Sequence, residues 1–450
     1  MSRYFVSTTA GIVILCATLF GSAAAGWDPI QQLTTGAENS TLPSRNRSCA
    51  AWGDYVHLAF AGKPAGTEVV LYMRSTDRGA SWESPVFLDS VTFGGRFGLA
   101  VDGSGVVHFV NCRKYTTNMY YRRSTDNGST WSTPQLLKTP YSDPYIAAGA
   151  GAQAFVLDVS ASGDRLELMR TTNSGATWSG PTELFSGDAK SDARIVAAAA
   201  GWTYATWRQN VSAAPQVFSA RSTDDGVSWS SPFQVTDYDS GAASLSSCAD
   251  RHSGAVIAYS CNRADDYVYS SDGGVTWSTP RALPWTGYAL NAVLSDEYDG
   301  LHALSIVDQN RVMHFRSAVG AVGWSDTTEV SGFSPGAIRQ DPMLAIDDYL
   351  NLHAFWVGRE SGKKQVYYRR GLGVGGIDDA GRFTRPGTLV YPCPATAGVF
   401  LRAHAPGRLI TSSGRQSGLL HPGWNDLSDL PRGVYFVLLP NRTSSVIVKE

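Results

Sequence analysis

The sequence predicts an all-β chain: a seven-bladed β-propeller of four-stranded antiparallel blades, followed by a small C-terminal β-sandwich. Three observations predict it. An eight-residue turn motif recurs at a near-constant interval, strand-like segments flank every copy, and the final copy of the flanking pattern is completed by a segment at the other end of the chain. Composition agrees. Among 450 residues there are 46 Gly, and 11% of the chain is aromatic, which favours turns and strands.

The motif reads STDRGASW from Ser75, STDNGSTW from Ser124, TTNSGATW from Thr171, STDDGVSW from Ser222 and SSDGGVTW from Ser270. The starts at 75, 124, 171, 222 and 270 lie 49, 47, 51 and 48 residues apart, the size of one propeller blade. A sixth copy is degraded: Ser317 and Trp324 persist, but Val319 and Ala321 replace the Asp and the Gly. The motif is a turn. Its Asp (Asp77, Asp126, Asp224, Asp272, and Asn173 in the third copy) accepts hydrogen bonds from nearby backbone N–H groups. Its Gly permits the positive φ at which the chain reverses, and its Trp packs on the base of the hairpin.

Each box follows a strand ending in aromatics and Arg, such as VVLYMRS or NMYYRRS, and precedes a fourth strand such as TPQLLK. Upstream lie a strand such as VVHFVN and a small-residue strand such as IVAAAA. Four strands make a blade. The pre-box strand occurs a seventh time as QVYYRRG (Gln365–Gly371) with no fourth strand after it, while Trp27–Thr34 resembles the segment after a box. Seven blades closed by the N-terminal strand are therefore expected, with six as the alternative.

Around this core the chain divides into residues 1–25, 26–371, 372–387 and 388–450. Arg3, the apolar run Gly11–Phe20 and the small residues Ala23–Ala25 read as a signal peptide cut after Ala25. Cys16 raises a lipoprotein alternative, but Val13-Ile14-Leu15 before it are not the small residues such a site wants. No later stretch has transmembrane character. The net charge of −2 gives no basic face, so nucleic acid is not an expected partner. Of the five Cys beyond the signal segment, Cys248 and Cys261 are placed either for a hairpin disulfide or as two buried thiols. No cofactor is expected. No metal is expected either: His57, His108, His302 and His353 recur at one blade position, which spreads them around the ring instead of converging them on an ion.

These boxes resemble those of the sialidase-like, BNR or Asp-box, propellers over most of residues 75–277, with the repeat reaching about residue 371. The resemblance implies that the box Asp residues are scaffold on the face away from any ligand site. In catalytic members it implies three Arg clamping a carboxylate, a Tyr nucleophile activated by Glu and an Asp acid/base. The aromatic-Arg-Ile-Pro motif of those members is absent here. The nearest segment, LPSRNRS, holds Arg45 and Arg47. Where inner strands begin around the channel lie Arg47, Arg96, Asp143, Tyr145, Asp192, Arg194, Tyr288, Arg339 and Asp341. They read either as blade-tying ion pairs or as a ligand site, with Arg96, Arg194 and Arg339 as the binding forks and Asp192 and Tyr288 as catalytic candidates.

The segments LVYPCP, APGRLITSSGRQ and DLSDLPRGVYFVLL resemble the type A sorting domain of type IX secretion, with Cys393 in place of the usual Asn. That resemblance implies outer-membrane secretion machinery as a partner and a secreted or surface location. Three functions stay open: a noncatalytic propeller binding extracellular glycan or protein, a sialidase or other glycoside hydrolase, and a structural or adhesive surface protein.

Overall fold

The protein was examined as a computed structural model. It describes residues 26–371 except for short stretches, of which 284–288, 318–323 and 333–337 are the longest, together with the strands between residues 390 and 449. Residues 26–372 form one compact unit of seven four-stranded antiparallel sheets. The inner strands, in chain order, are Cys49–Trp52, Thr92–Val101, Tyr145–Ala148, Lys190–Ala197, Leu245–Ala249, Ala289–Ser295 and Ile338–Ile346. They begin blades 1 to 7, and the six-blade alternative is excluded.

Closure follows the expected route. In blade 7 the outer strand is Gln31–Gln32, with Gln31 opposite Tyr368 and Gln32 opposite Tyr367. Trp27 bridges Gly371, and backbone bonds from Asp28 to Arg370 and from Leu33 to Val366, both 2.8 Å, extend the pairing. The apolar core is divided among the blade junctions. Leu58, Phe60 and Met73 of blade 1 pack with Met343, Phe355 and Tyr368 of blade 7, so the ring closes through a core as well as through a strand.

The boxes do the turn work expected of them. In blade 2, Asp126 accepts from the Thr130 N–H at 2.9 Å, the Thr130 hydroxyl at 2.7 Å and the Ser124 hydroxyl at 2.7 Å, while Ser124 Oγ accepts from the Gly128 N–H at 2.7 Å. Asn173 caps the same way, accepting from the Thr177 N–H at 3.0 Å. The Trp differs from the expectation. Its indole crosses to the preceding blade, where it meets an aromatic edge-on: Trp131 on Tyr72, Trp178 on Tyr121 and Trp82 on Tyr368, with ring centroids 5.0, 4.9 and 5.0 Å apart. At the closure Trp27 takes this role against His314 of blade 6, at 5.6 Å.

The Arg that ends the third strand also reaches the next blade. Arg74 donates to Asn127 O (2.7 Å), Arg123 to Ser174 O (2.8 Å), Arg170 to Asp225 O (2.7 Å), Arg221 to Gly273 O (2.9 Å) and Arg370 to Arg78 O (2.9 Å). Each acceptor is the residue before the box Gly, and each has positive φ. The box Gly is required twice over: a Cβ on Gly128 would sit 1.7 Å from the Tyr72 hydroxyl, and one on Gly175 would sit 1.8 Å from that of Tyr121.

The recurrent histidines sit behind these tyrosines. His108 Nδ1 lies 2.7 Å from Tyr121 Oη and its Nε2 lies 3.2 Å from Asp102; His353 lies 2.8 Å from Tyr368 and 3.3 Å from Asp347. A carboxylate only accepts, so Nε2–H donates to it and Nδ1 accepts from the tyrosine. In blade 6, His314 replaces the tyrosine, 3.0 Å from His302. Blade 1 keeps His57 and Tyr72 but has Ala51 six residues before the His, where Asp102 stands before His108. The buried His57 Nε2 is left without a hydrogen-bond partner.

The proposed Cys248–Cys261 pairing fails on register. Cys248 lies opposite Val256, and Cys261 lies five residues further along that strand, opposite Ala264. At ~3.4 Å per residue the separation is about 17 Å, beyond the roughly 7 Å Cα limit of a disulfide. In the C-terminal unit, Gly407–Thr411, Gln416–Leu420, Gly433–Leu438 and Ser444–Lys449 share one antiparallel sheet, and Val390–Pro392, Gly398–Leu401 and Gly423–Asp426 share another. The Gly-rich linker and nearly all of the signal segment lie outside the described residues.

Three outcomes follow from this architecture. Deleting residues 27–34 strips the outer strand from blade 7 and bares a sheet edge, so the melting temperature falls and light scattering reports aggregation. Asp126→Ala removes a turn cap of a kind worth about 0.5–2 kcal/mol, measured as a lower midpoint in denaturant with ligand binding intact.

The third outcome concerns acid. Burial holds His57 at about 3 against an ordinary 6.5, with Arg74 adding to the effect, and burial, His302 and Arg316 hold His314 at about 3. The unfolded chain takes up these protons first, so stability drops as pH falls from 6.5 toward 3. The Ser228 hydroxyl bond first, then its N–H, keeps Asp224 at about 2, and Thr276 does the same for Asp272; that contribution is full above 3.8 and lost as pH falls through about 2. Melting temperature against pH should fall in these two successive limbs; a curve flat from pH 7 to 4 contradicts the first.

Candidate functional site

Four antiparallel strands fix which end of each blade does what. The third strand ends at the box, so the inner strand, which runs in the same direction, begins at the opposite face. The expected site residues are therefore at the channel mouth away from the boxes. The channel itself is a cavity of about 280 Å³ lined by small residues of the inner strands, among them Ala50, Ala100, Ala147, Ala197, Ser247 and Ala345, with Arg47 and Tyr145 also on its wall.

Four inner strands slip register near their start: between Thr92 and Phe97 in blade 2, Ser191 and Arg194 in blade 4, Leu290 and Ala292 in blade 6, and Gln340 and Met343 in blade 7. The slips in blades 4 and 7 each hold an Asp. Asp192 and Asp341 occupy these bulges with φ of 54° and 48°, a region that costs a non-Gly residue and marks a backbone re-aimed for a purpose.

Asp192 is the centre of a buried cluster. Arg194 Nη2 lies 2.6 Å from one of its oxygens and Arg208 Nε 3.5 Å from the other. The Arg194 guanidinium lies over the Tyr145 ring of blade 3, 5.0 Å from its centre, and Arg208 donates to Ala242 O at 3.3 Å at the entry to blade 5. Three blades meet in this cluster. Both Asp192 oxygens thus lie at ion-pair distance from a guanidinium group. At the next junction Arg96 lies 4.0 Å from Asp143, and Arg96 keeps 33% of its side chain exposed. Arg47 Nη2 donates to Val293 O of blade 6 at 3.3 Å, joining non-adjacent blades inside the channel.

Arg339 stands at the start of the inner strand of blade 7. It is 3% exposed and is cross-strand partner to Gly358 in its own blade, where a Cβ would come within 3.2 Å of its Nη1. Arg194 and Tyr145 are thus together, Arg96 pairs one junction away, and Arg339 is buried on the inner strand of blade 7. Tyr288 and Arg45 lie outside the described residues. Burial pushes the Asp341 carboxyl up to about 6, with Lys364 pulling it down more weakly.

Sequence reasoning missed three members of this face. Arg208 completes the Asp192 cluster. Lys138 bonds Asp158 and Glu167, and Asp158 also accepts from the Asp143 N–H at 2.9 Å. Asp89 accepts from Arg113 at 2.8 Å and Arg122 at 3.3 Å. The available signal was a single Asp inside an otherwise apolar strand, as in AFVLDV and VFLDS, since a carboxylate buried there needs a cationic partner.

No protein-family model matches the chain, and no curated protein matches its sequence. Its likeness is to solved structures. An ulvan lyase of polysaccharide lyase family PL25 has 10% identity and a TM-score of 0.53, over 75% of this chain and 95% of that one. The polysaccharide lyase Uly1 has 11% identity and a TM-score of 0.51, over 72% and 89%. The NanB sialidase of Streptococcus pneumoniae has 9% identity and a TM-score of 0.44, over 77% and 71%. At such identities the likeness is one of fold: this chain is a seven-bladed propeller whose structural neighbours include polysaccharide lyases and a sialidase.

Proposed function

We propose that the protein is an exported, noncatalytic propeller that binds acidic glycans at the channel mouth opposite its boxes. The observation that carries this reading is how the charges are arranged: Asp192 is buried between Arg194 and Arg208, while Arg96 keeps a third of its side chain exposed at the opening. Guanidinium forks suit carboxylate and sulfate groups. The solved ulvan lyase that resembles this fold was captured with a fragment named as -[GlcA(1-4)Rha3S]-, a ligand of that chemical class. Export and surface attachment rest on the apolar N-terminal run and on the C-terminal resemblance to a sorting domain.

A catalytic reading has one observation in its favour, the carboxyl of Asp341 raised to about 6 in a left-handed bulge at the same mouth, which suits a general acid.

The test is an array of uronate-bearing, sulfated and neutral glycans, with release assays on aryl-sialosides and ultraviolet detection of unsaturated uronates. Binding to acidic glycans is expected, weakened about tenfold or more by Arg96→Ala, since a hydrogen bond to a charged group contributes about 1.5–3 kcal/mol. Binding indifferent to that substitution sinks the site, and turnover abolished by Asp341→Asn replaces binding with catalysis.

A further inference from the structure

We propose that the box face carries a second ligand site, a cavity between blades 3 and 4 that takes a neutral, hydroxyl-rich ligand of the saccharide type. It does not rest on the acidic-glycan reading and lies on the opposite face.

The cavity lies between two of the three blades that break the repeat; the third is blade 5, with Val256 opposite Tyr269. In blades 1, 2, 6 and 7 a His on the second strand is cross-strand partner to the Arg before the box, and the His reaches a Tyr or His on the third strand. At the same register blade 3 has Phe155 opposite Arg170, and blade 4 has Tyr204 opposite Arg221. The third-strand partners become Leu168 and Ser219. Six residues before the second-strand position, where blade 2 has Asp102, stand Gly149 and Ala198. The loops that follow the inner strands are Ala- and Gly-rich here, and a cavity of about 370 Å³ opens between them. That is within the ~300–1,000 Å³ span of small-ligand sites.

Its wall is polar in a particular way. Gln153 of blade 3 and Asp225 of blade 4 face each other across it with Gln153 Nε2 3.5 Å from Asp225 Oδ2, a contact long enough to yield to a ligand. Thr223 and Trp202 also border the cavity, the Trp202 ring itself packing toward Gly273 of blade 5. Asp225 stands at the box position filled elsewhere by Arg78, Asn127, Ser174 and Gly273, so the turn does not demand a carboxylate there. The other lining carboxylate, Asp224, is spent on the box through Ser222 and Ser228. No cationic side chain lines the cavity. An amide and a carboxylate side by side donate to and accept from neighbouring hydroxyls, and the carboxylate repels an anion. The mouth face favours the reverse.

The probe is a panel of neutral methyl glycosides at millimolar concentration, observed by saturation-transfer NMR on the full chain, with tetramethylammonium as a competing cation. Two variants test the cavity. Asp225→Asn places at this position the residue that box 2 already carries in the same conformation, and Arg170 bonds only the backbone oxygen, so the fold is kept. Ala198→Leu fills the space. At least one glycoside is expected to show transfer, reduced fivefold or more in both variants and unchanged in Arg96→Ala. The proposal is overturned if no glycoside responds, if transfer survives both substitutions, or if tetramethylammonium binds where the glycosides do not.

Discussion

The contact on which the ring depends is made where one blade's box receives the preceding blade. Three elements meet there: an arginine donating to a left-handed box carbonyl, an indole set edge-on against an aromatic, and a tyrosine hydroxyl seated where the box Gly has no Cβ. Each uses a feature that the turn itself creates. The Asp cap holds two successive residues at positive φ, and only in that conformation does the carbonyl before the Gly point outward to its neighbour. The box is therefore a connector between blades as much as a hairpin turn. This accounts for a motif kept across five blades although every copy is largely solvent-exposed.

The departures obey the same logic. Blade 5 has Tyr269 where the other third strands have Arg, and the box it would contact, in blade 6, is the degraded copy. The Arg donor is absent where the box sequence opposite has lost its Asp and Gly, while the apolar half of the contact persists as Trp324 against Tyr267 at 5.9 Å. At the closure no box exists, because the chain ends of the ring meet there. Trp27 restores the indole contact, and Asp28 pairs with Arg370 at 2.6 Å. The N-terminal strand covers the outer side of the third strand of blade 7, and both the strand and the indole come from one short segment.

Most of this architecture was legible in the residues. The period, the offsets within the box and the strand remainders at the two ends determine blade number and closure, because a repeat that lacks its fourth strand must find one. The Trp and Arg roles were not legible: the sequence shows that they recur, but whether an indole folds back on its own hairpin or crosses to a neighbour is decided by the packing between blades. The Cys pair failed for a related reason, since facing strands are necessary for a disulfide but register decides it. At the mouth, the positions of Arg96, Asp143, Tyr145, Asp192 and Arg194 follow from strand starts. Their pairing does not, because Arg208 and Asp158, which complete it, sit at unremarkable places on second strands.

The two faces of the ring consequently stand under different constraints. On the box face the backbone carbonyls and the glycines hold neighbours, and the described cavity lies at a junction where the relay behind the box is lost, between Gly149 and Ala198. On the opposite face the junctions are held by side chains: Lys138 with Asp158 and Glu167, Asp89 with Arg113 and Arg122, Asp192 with Arg194 and Arg208. Removing one partner of such a buried group leaves the other charge uncompensated, which destabilises strongly. Exchanging an exposed one does not. The residues able to change with the ligand are then the outermost of the mouth, Arg96 before all, while Asp192 and Arg194 behind it belong to the frame that keeps blades 3, 4 and 5 in place.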